Sequence, residues 1–120
     1  MTPVELDDFV QGFLRTWSSH DVDAIMALMT DDCEFEPSSR AWGTHYQGTT
    51  AVRAAVEGLF KSAPNIQWQS VRHFAVGDEI VIEVLATGTN EQGEAFAIPA
   101  CDLLTVKDGK IASKRAYRKL

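Results

Sequence analysis

The sequence predicts an α+β domain in which N-terminal helices pack on one face of a curved, largely antiparallel sheet. Two patterns support this prediction. Apolar side chains recur at helical spacing through about the first half of the chain, and they alternate with polar ones from Ile66 to the end. Helices followed by consecutive antiparallel strands are typical of α+β folds. Long strands twist, so we expect a cone-shaped sheet wrapped around the helices, within a single domain at 1–120.

Three helices are predicted in the first half. Thr2-Pro3-Val4-Glu5 has the pattern of a capping box with proline in the first helical position, and the apolar residues from Leu6 to Trp17 form one face of a long helix. Asp21 is a candidate N-cap for a short second helix, which we expect to end at Asp31-Asp32. Thr50 is the candidate N-cap of a third amphipathic helix.

Five strands are predicted. A short one, Cys33–Glu36, stops at Pro37, and the segment 38–48 that follows it is irregular and rich in aromatic residues. The second half predicts a meander whose turns contain glycine, asparagine or aspartate. Its four candidate strands are Ile66–Val76, Ile80–Thr89, Glu94–Val106 and Lys110–Tyr117.

Composition and residue spacing argue against several kinds of binding partner and metal site. The formal net charge of −6 disfavours nucleic acid, because phosphate binding needs a positive surface. The N-terminus has neither a basic region nor a long apolar stretch, so we expect no signal peptide, no membrane span and a cytoplasmic location. Cys33 and Cys101 form no CxxC pattern and are expected to be buried thiols. The histidines are not at metal-ligand spacing, so no metal is expected.

Asp102 is the most informative single residue. It stands alone in the apolar run Ala95–Val106, where a carboxylate is costly unless it is paired, hydrogen-bonded or useful in a pocket. Alternation puts Asp102 on the same strand face as Leu104. Two interpretations stay open, a carboxylate satisfied within the fold and one that lines a ligand site.

The order of elements and three motifs resemble those of the nuclear transport factor 2-like superfamily, and its SnoaL-like and ketosteroid-isomerase-like branch most closely. The motifs are Asp31–Pro37, Gly48–Arg53 and Asp108–Ile111, and the resemblance spans nearly the whole chain. It implies a cone with an interior that holds a small ligand, and it implies homodimers. The superfamily contains several kinds of enzyme and also non-catalytic members, so the resemblance alone does not fix an activity.

In ketosteroid isomerase, an aspartate moves protons while a tyrosine and a protonated aspartate hold the developing oxyanion. Carried over to this chain, the oxyanion aspartate corresponds to Asp102 and the general base to Glu36, a glutamate in place of an aspartate. The tyrosine corresponds to Phe13, which donates no hydrogen bond. Limonene-epoxide-hydrolase-like members carry an aspartate where the last strand here has Ala116.

These correspondences predict a small enzyme that uses acid–base proton transfer on an apolar organic molecule, with Asp102 and Glu36 as catalytic residues and no cofactor. An isomerase, cyclase or dehydratase reaction would fit. The alternative is a non-catalytic ligand-binding or dimeric interaction module with the same fold. The basic residues of the segment 114–119 would suit an anionic group if some of their side chains turn inward, but they are expected to be solvated edge charges. The candidate ligand-binding side chains are aromatic or imidazole groups: Phe13, Trp17, Trp42, His45, Tyr46 and His73.

Overall fold

The computed structural model describes residues 1–38 and 44–119. The chain there forms three helices and a sheet of six strands. The helices are α1 (Pro3–Ser18), α2 (Val22–Ala27) and α3 (Thr49–Ser62). The strands are β1 (Met29–Glu36), β2 (Tyr46–Gln47), β3 (Gln67–Val76), β4 (Glu79–Thr89), β5 (Ala95–Lys107) and β6 (Lys110–Arg118).

The sheet is curved and unclosed, with the strand order β2-β1-β6-β5-β4-β3. β3 to β6 form the predicted antiparallel meander, whereas β1 runs parallel to β6. The α1 helix packs against β3, and α3 packs against β1. The α+β fold class predicted from the sequence, a cone built from a mixed sheet and N-terminal helices, is confirmed.

Local sequence signals place two of the three helix starts correctly. The Thr2 hydroxyl accepts a hydrogen bond from the Glu5 amide, and the Glu5 carboxylate accepts one from the Thr2 amide, which completes the predicted capping box. Asp21 caps α2 by accepting a hydrogen bond from the Ala24 amide. The prediction for α3 was wrong, since its N-cap is Gly48 with a φ of 86°, and no side chain caps that helix.

The first strand is longer than predicted, and α2 is correspondingly shorter. β1 begins at Met29, where the sequence predicted that the helix would continue to Asp31-Asp32. Cys33 and Phe35 point into the core from this strand. Because β1 pairs with β6, the last strand is an interior strand of the sheet. Lys114 is accordingly buried and Arg115 half-buried, whereas Arg118 and Lys119 are exposed, so the expectation of solvated charges holds only for the last two.

The hairpin between β5 and β6 sets the register on which the site depends. Asp108 and Gly109 both have positive φ, at 52° and 78°, as in the two-residue turns that match the twist of a hairpin. Thr105 pairs with Ser113 and Val106 with Ile111, so that Ala112 has no partner on β5. This bulge brings Lys114 onto the same face of the sheet as Ile111.

The core lies between the concave face of the sheet and the helices. Trp17 is the largest of its fully buried side chains, and its ring lies near the rings of Phe13, Phe35 and Trp68 at centroid distances of 5.8 to 6.1 Å. Such tilted and edge-on aromatic pairs stabilise a core beyond the area they bury. Both cysteines are free thiols, as predicted, with Cys33 buried and Cys101 only partly so.

Candidate functional site

Asp102 and Lys114 form a buried ion pair on the concave face of the sheet. The Lys114 Nζ lies 3.6 Å from Asp102 Oδ1, and each side chain is only 7% exposed. Within the described part of the chain, these are the only charged residues that are buried. The pairing follows from the register, because Asp102 lies opposite Ala116 and Lys114 lies opposite Leu104, so the two are diagonal neighbours across the strands.

Two aromatic rings complete the surroundings of the Lys114 ammonium. Its Nζ lies 4.5 Å from the centroid of the Trp17 ring and 5.0 Å from that of the Phe35 ring. Both distances are within the range in which a cation is attracted to an aromatic face, and the attraction is larger when the cation is desolvated. The site is therefore built to hold a positive charge away from water, with one carboxylate as its counterion.

Burial raises the pKa of Asp102 above its ordinary value, and the positive charge of Lys114 opposes that rise without cancelling it. The two effects act on the same carboxyl group. A carboxylate with a raised pKa is a stronger proton acceptor than one in water, and its protonated form is easier to reach. Asp102 therefore holds a proton more strongly than an exposed aspartate does, as a general base acting on a carbon acid requires.

The ion pair lines a pocket of about 780 Å³. One wall is the concave face of the sheet, with Phe35, Trp68 and Ile98, and the other is the small-residue side of α3 around Gly58. Tyr46 from the short strand β2 and the turn at 90–92 also line the pocket. A pocket of this size with mostly apolar walls and a few polar groups is typical of small-molecule sites.

Glu36 and Asp102 are not brought together. Glu36 lines a second pocket, of about 470 Å³, on the opposite face of the sheet, where Glu34 and Arg115 also lie. The register explains this separation, because Phe35 pairs with Lys114 on the concave face while Glu36 pairs with Arg115 on the other face. His45 lies in the second pocket too, with its Nε2 3.5 Å from Glu34 Oε1.

The remaining predicted ligand-binding residues among the described ones line neither pocket. Phe13 is buried among the core side chains, and Trp17 contributes its ring to the cation site. The Trp17 Nε1 is buried and has no hydrogen-bond partner among the described residues. His73 faces α1, with its Nε2 3.4 Å from Asp7 Oδ1 and its Nδ1 3.0 Å from the Ser70 hydroxyl. Trp42 lies outside the described residues.

Sequence reasoning missed Lys114 and Trp68. Lys114 begins the basic run at the end of the chain, where nothing in the local pattern separates it from its exposed neighbours. Trp68 is one apolar residue within a predicted strand and has no local pattern that marks it, although its ring packs nearly at right angles to that of Trp17. Among residues 1–38 and 44–119, no group of three or more acidic, histidine or cysteine side chains is placed to hold a metal ion.

The fold and this pocket define the class of small cone-shaped α+β domains with a ligand-sized interior. The family model for the SnoaL-like domain matches residues 10–114. The chain belongs to that family, as the resemblance in its sequence implied. Comparison with curated protein sequences found no significant relative. No helix in the described part of the chain has the length and apolar character needed to cross a membrane.

Several solved structures share the fold at low sequence identity. A protein from Catenulispora acidiphila with a ketosteroid isomerase-like fold, in complex with trimethylamine, is 21% identical with a TM-score of 0.83, over 100% of this chain and 88% of that one. SalBIII, an epoxide hydrolase/cyclase-like enzyme with a role in pyran ring formation in the polyether salinomycin, is 21% identical. Its TM-score is 0.84, over 99% of this chain and 94% of that one. An epoxide hydrolase from M. tuberculosis is 19% identical with a TM-score of 0.75, over 93% and 80%.

Proposed function

We propose that this protein is an enzyme that transfers protons on a small, largely apolar organic substrate bound in the 780 Å³ pocket. The observation that carries the proposal is the buried Asp102–Lys114 ion pair, both members of which line that pocket. Burying two charges is expensive, and a well-packed apolar pair would stabilise the fold as well or better. A buried pair in a ligand-sized pocket is therefore a candidate catalytic centre.

Each charge has a chemical role in this proposal. Asp102 accepts a proton from a carbon next to a carbonyl group and returns it at another position, which its raised pKa favours. The Lys114 ammonium donates a hydrogen bond to the substrate oxygen, on which negative charge develops. Lys114 thereby supplies the donor that Phe13 cannot supply at the position of the family's tyrosine. Isomerase, cyclase and dehydratase reactions all begin with such a proton transfer.

Glu36 has no part in this mechanism, because its side chain lies on the opposite face of the sheet from Asp102. The epoxide hydrolase reaction is not proposed either. The carboxylate that limonene-epoxide-hydrolase-like enzymes carry on the last strand is replaced by Ala116, which lines the pocket beside Asp102.

Asp102→Asn is expected to lower the rate of proton exchange at least about 10²-fold, since the amide cannot accept the substrate proton. The measurement is proton NMR in deuterium oxide, following hydrogen–deuterium exchange next to the carbonyl of apolar ketones such as 2-tetralone. Asp108→Asn is the matched control, because it makes the same change at an exposed position of the β5–β6 turn that does not line the pocket. Unchanged exchange in the Asp102 variant would refute the assignment.

A Glu36→Gln variant decides between the two candidate bases. The geometry predicts that exchange depends on Asp102 and is insensitive to Glu36, while the correspondence with ketosteroid isomerase predicts that both are needed. A large loss of exchange in the Glu36 variant, with folding intact by circular dichroism, would return Glu36 to the mechanism.

The second candidate function is binding of a small apolar ligand without catalysis. It is favoured by the mutual neutralisation of Asp102 and Lys114, which satisfies both charges within the fold. The two functions give different results with the same ketones. Binding by titration calorimetry without any deuterium exchange in the wild-type protein would favour the binding module.

We also propose that the protein is a homodimer through the outer face of the sheet. Phe74 and Tyr117 are each 49% exposed, and Val81 and Leu85 add half-buried apolar surface on the same face. Light scattering at micromolar concentration is expected to give twice the 13.2 kDa chain mass, and Leu85→Arg is expected to reduce it to the monomer mass. A monomer mass for the wild-type protein would remove this proposal.

A further inference from the structure

We propose that Lys114 forms a Schiff base with aldehydes and ketones in the pocket, so that the substrates are apolar carbonyl compounds held as iminium ions. This inference rests on the proposed function of the pocket as the ligand site and names its substrate class. The inference is based on the position of the Lys114 amine. Its Nζ lies 3.6 Å from Asp102 Oδ1 and 4.5 Å from the centroid of the Trp17 ring, and it lines a pocket large enough for a carbonyl compound.

Lys114 differs from every other lysine in its surroundings. The other four, Lys61, Lys107, Lys110 and Lys119, are all exposed. The other lysines are in water, whereas the Lys114 amine lies against a large pocket and beside a carboxylate that can accept its proton when a carbonyl compound binds. Lys114 alone combines burial, a carboxylate and access to a large pocket.

The reaction conserves atoms and charge within the site. A proton moves from the Lys114 ammonium to the Asp102 carboxylate, and the neutral Nζ attacks the carbonyl carbon to form a carbinolamine. The carbonyl oxygen takes its first proton from the attacking nitrogen, which gives the neutral carbinolamine, and its second from Asp102, and it then leaves as water while the nitrogen lone pair forms the C=N bond. The products are a protonated imine on Lys114, one water molecule and the Asp102 carboxylate. Neither an oxidant nor a reductant is needed.

The aromatic rings around Lys114 stabilise the protonated imine as well as the ammonium group. A protonated imine keeps the positive charge that the ammonium carried, so that Trp17, Phe35 and Asp102 stabilise a cation before and after the reaction. The iminium ion withdraws electrons from the neighbouring carbon more strongly than a carbonyl group does. The proton on that carbon is then easier for the Asp102 carboxylate to remove, and this connects the covalent step to the proposed proton transfer.

The test is reductive trapping on the wild-type protein. The folded chain is incubated with 3-phenylpropanal and sodium cyanoborohydride, then digested, and the labelled lysines are identified by mass spectrometry. Lys114 is expected to be labelled at least about ten-fold faster than the exposed Lys110, because binding in the pocket raises the local concentration of the aldehyde. Equal labelling of the two lysines, or labelling confined to the exposed ones, overturns the inference.

Lys114→Arg separates this inference from the proposed function. Arginine keeps a positive charge beside the aromatic rings but forms no imine under these conditions, so the variant is expected to lose both the trapped adduct and most deuterium exchange. If wild-type Lys114 is not labelled but 2-tetralone still exchanges, the Schiff base is refuted while the proton-transfer function stands. Exchange that persists in Lys114→Arg although wild-type Lys114 is labelled refutes the link between the imine and the proton transfer. If wild-type Lys114 is labelled but no ketone exchanges, the covalent inference stands and proton transfer fails.

Discussion

Lys114→Met is expected to destabilise the protein by about 3–5 kcal/mol at neutral pH, because the change leaves the Asp102 carboxylate buried without its counterion. Methionine has nearly the shape of the lysine side chain, so the loss reports the charge and not a cavity. The measurement is urea denaturation followed by circular dichroism. Lys110→Met is the matched control, since Lys110 is exposed at the β5–β6 turn and its replacement is expected to change the stability by less than about 0.5 kcal/mol.

The pH dependence of this loss has a defined sign. Burial already raises the pKa of Asp102, and removing Lys114 takes away the charge that opposes the rise. A carboxyl group whose pKa is higher in the folded than in the unfolded state binds more protons when folded. The contribution of Asp102 to the free energy of unfolding is therefore most favourable at pH values below the pKa in the unfolded state. It is lost as the pH rises through the pKa in the folded state. The difference between Lys114→Met and Lys110→Met should therefore shrink as the pH is lowered from about 7 toward the ordinary aspartate pKa, and a constant difference over that range would contradict the assignment.

Features that depend on neighbouring residues were predictable from the sequence. The capping box at Thr2 and Glu5, the Asp21 cap and the four strands of the meander each rest on a pattern within a few residues, and all are confirmed, with no strand end shifted by more than one residue. The isolated acid at Asp102 was recognisable for the same reason, because a lone carboxylate in an apolar strand is visible without any knowledge of its partners.

The partner of Asp102 was not predictable, because two features without a local signal determine it. The parallel pairing of β1 with β6 joins segments far apart in the chain, and it converts the last strand from an edge into an interior strand. The bulge at Ala112 then shifts the alternation by one residue. Without that bulge, Arg115 and not Lys114 would point to the concave face. The unpaired residue Ala112 therefore determines which basic side chain lies next to Asp102.

Glu36 is separated from Asp102 because the two side chains lie on opposite faces of the sheet. Side chains alternate between the two faces of a strand, so the position of Phe35 in the core places Glu36 on the outer face. Correspondence of motifs along the chain cannot detect this, since it preserves the order of residues and not the face on which each one lies. The partner of Asp102 in the pocket is therefore Lys114 and not a second carboxylate, and the proposed chemistry depends on this lysine.

A double variant, Asp102→Leu with Lys114→Met, tests whether the ion pair exists for stability or for chemistry. Each single change leaves one buried charge alone, while the double change removes both and fills the space with apolar atoms. Replacing a whole buried ion pair in this way is often neutral or stabilising, so we expect the double variant to be at least about 3 kcal/mol more stable than the sum of the two single losses predicts.

The same double variant is expected to show neither deuterium exchange nor trapping at position 114, although it folds as well as the wild-type protein. Urea denaturation of the four proteins in the cycle gives the coupling energy, and the ketone and aldehyde assays give the chemistry. Losses that simply add would show that Asp102 and Lys114 do not interact across the 3.6 Å between them. A stable but inert double variant would mean that the fold tolerates an apolar pair here, and that the charges are retained for the reaction in the pocket.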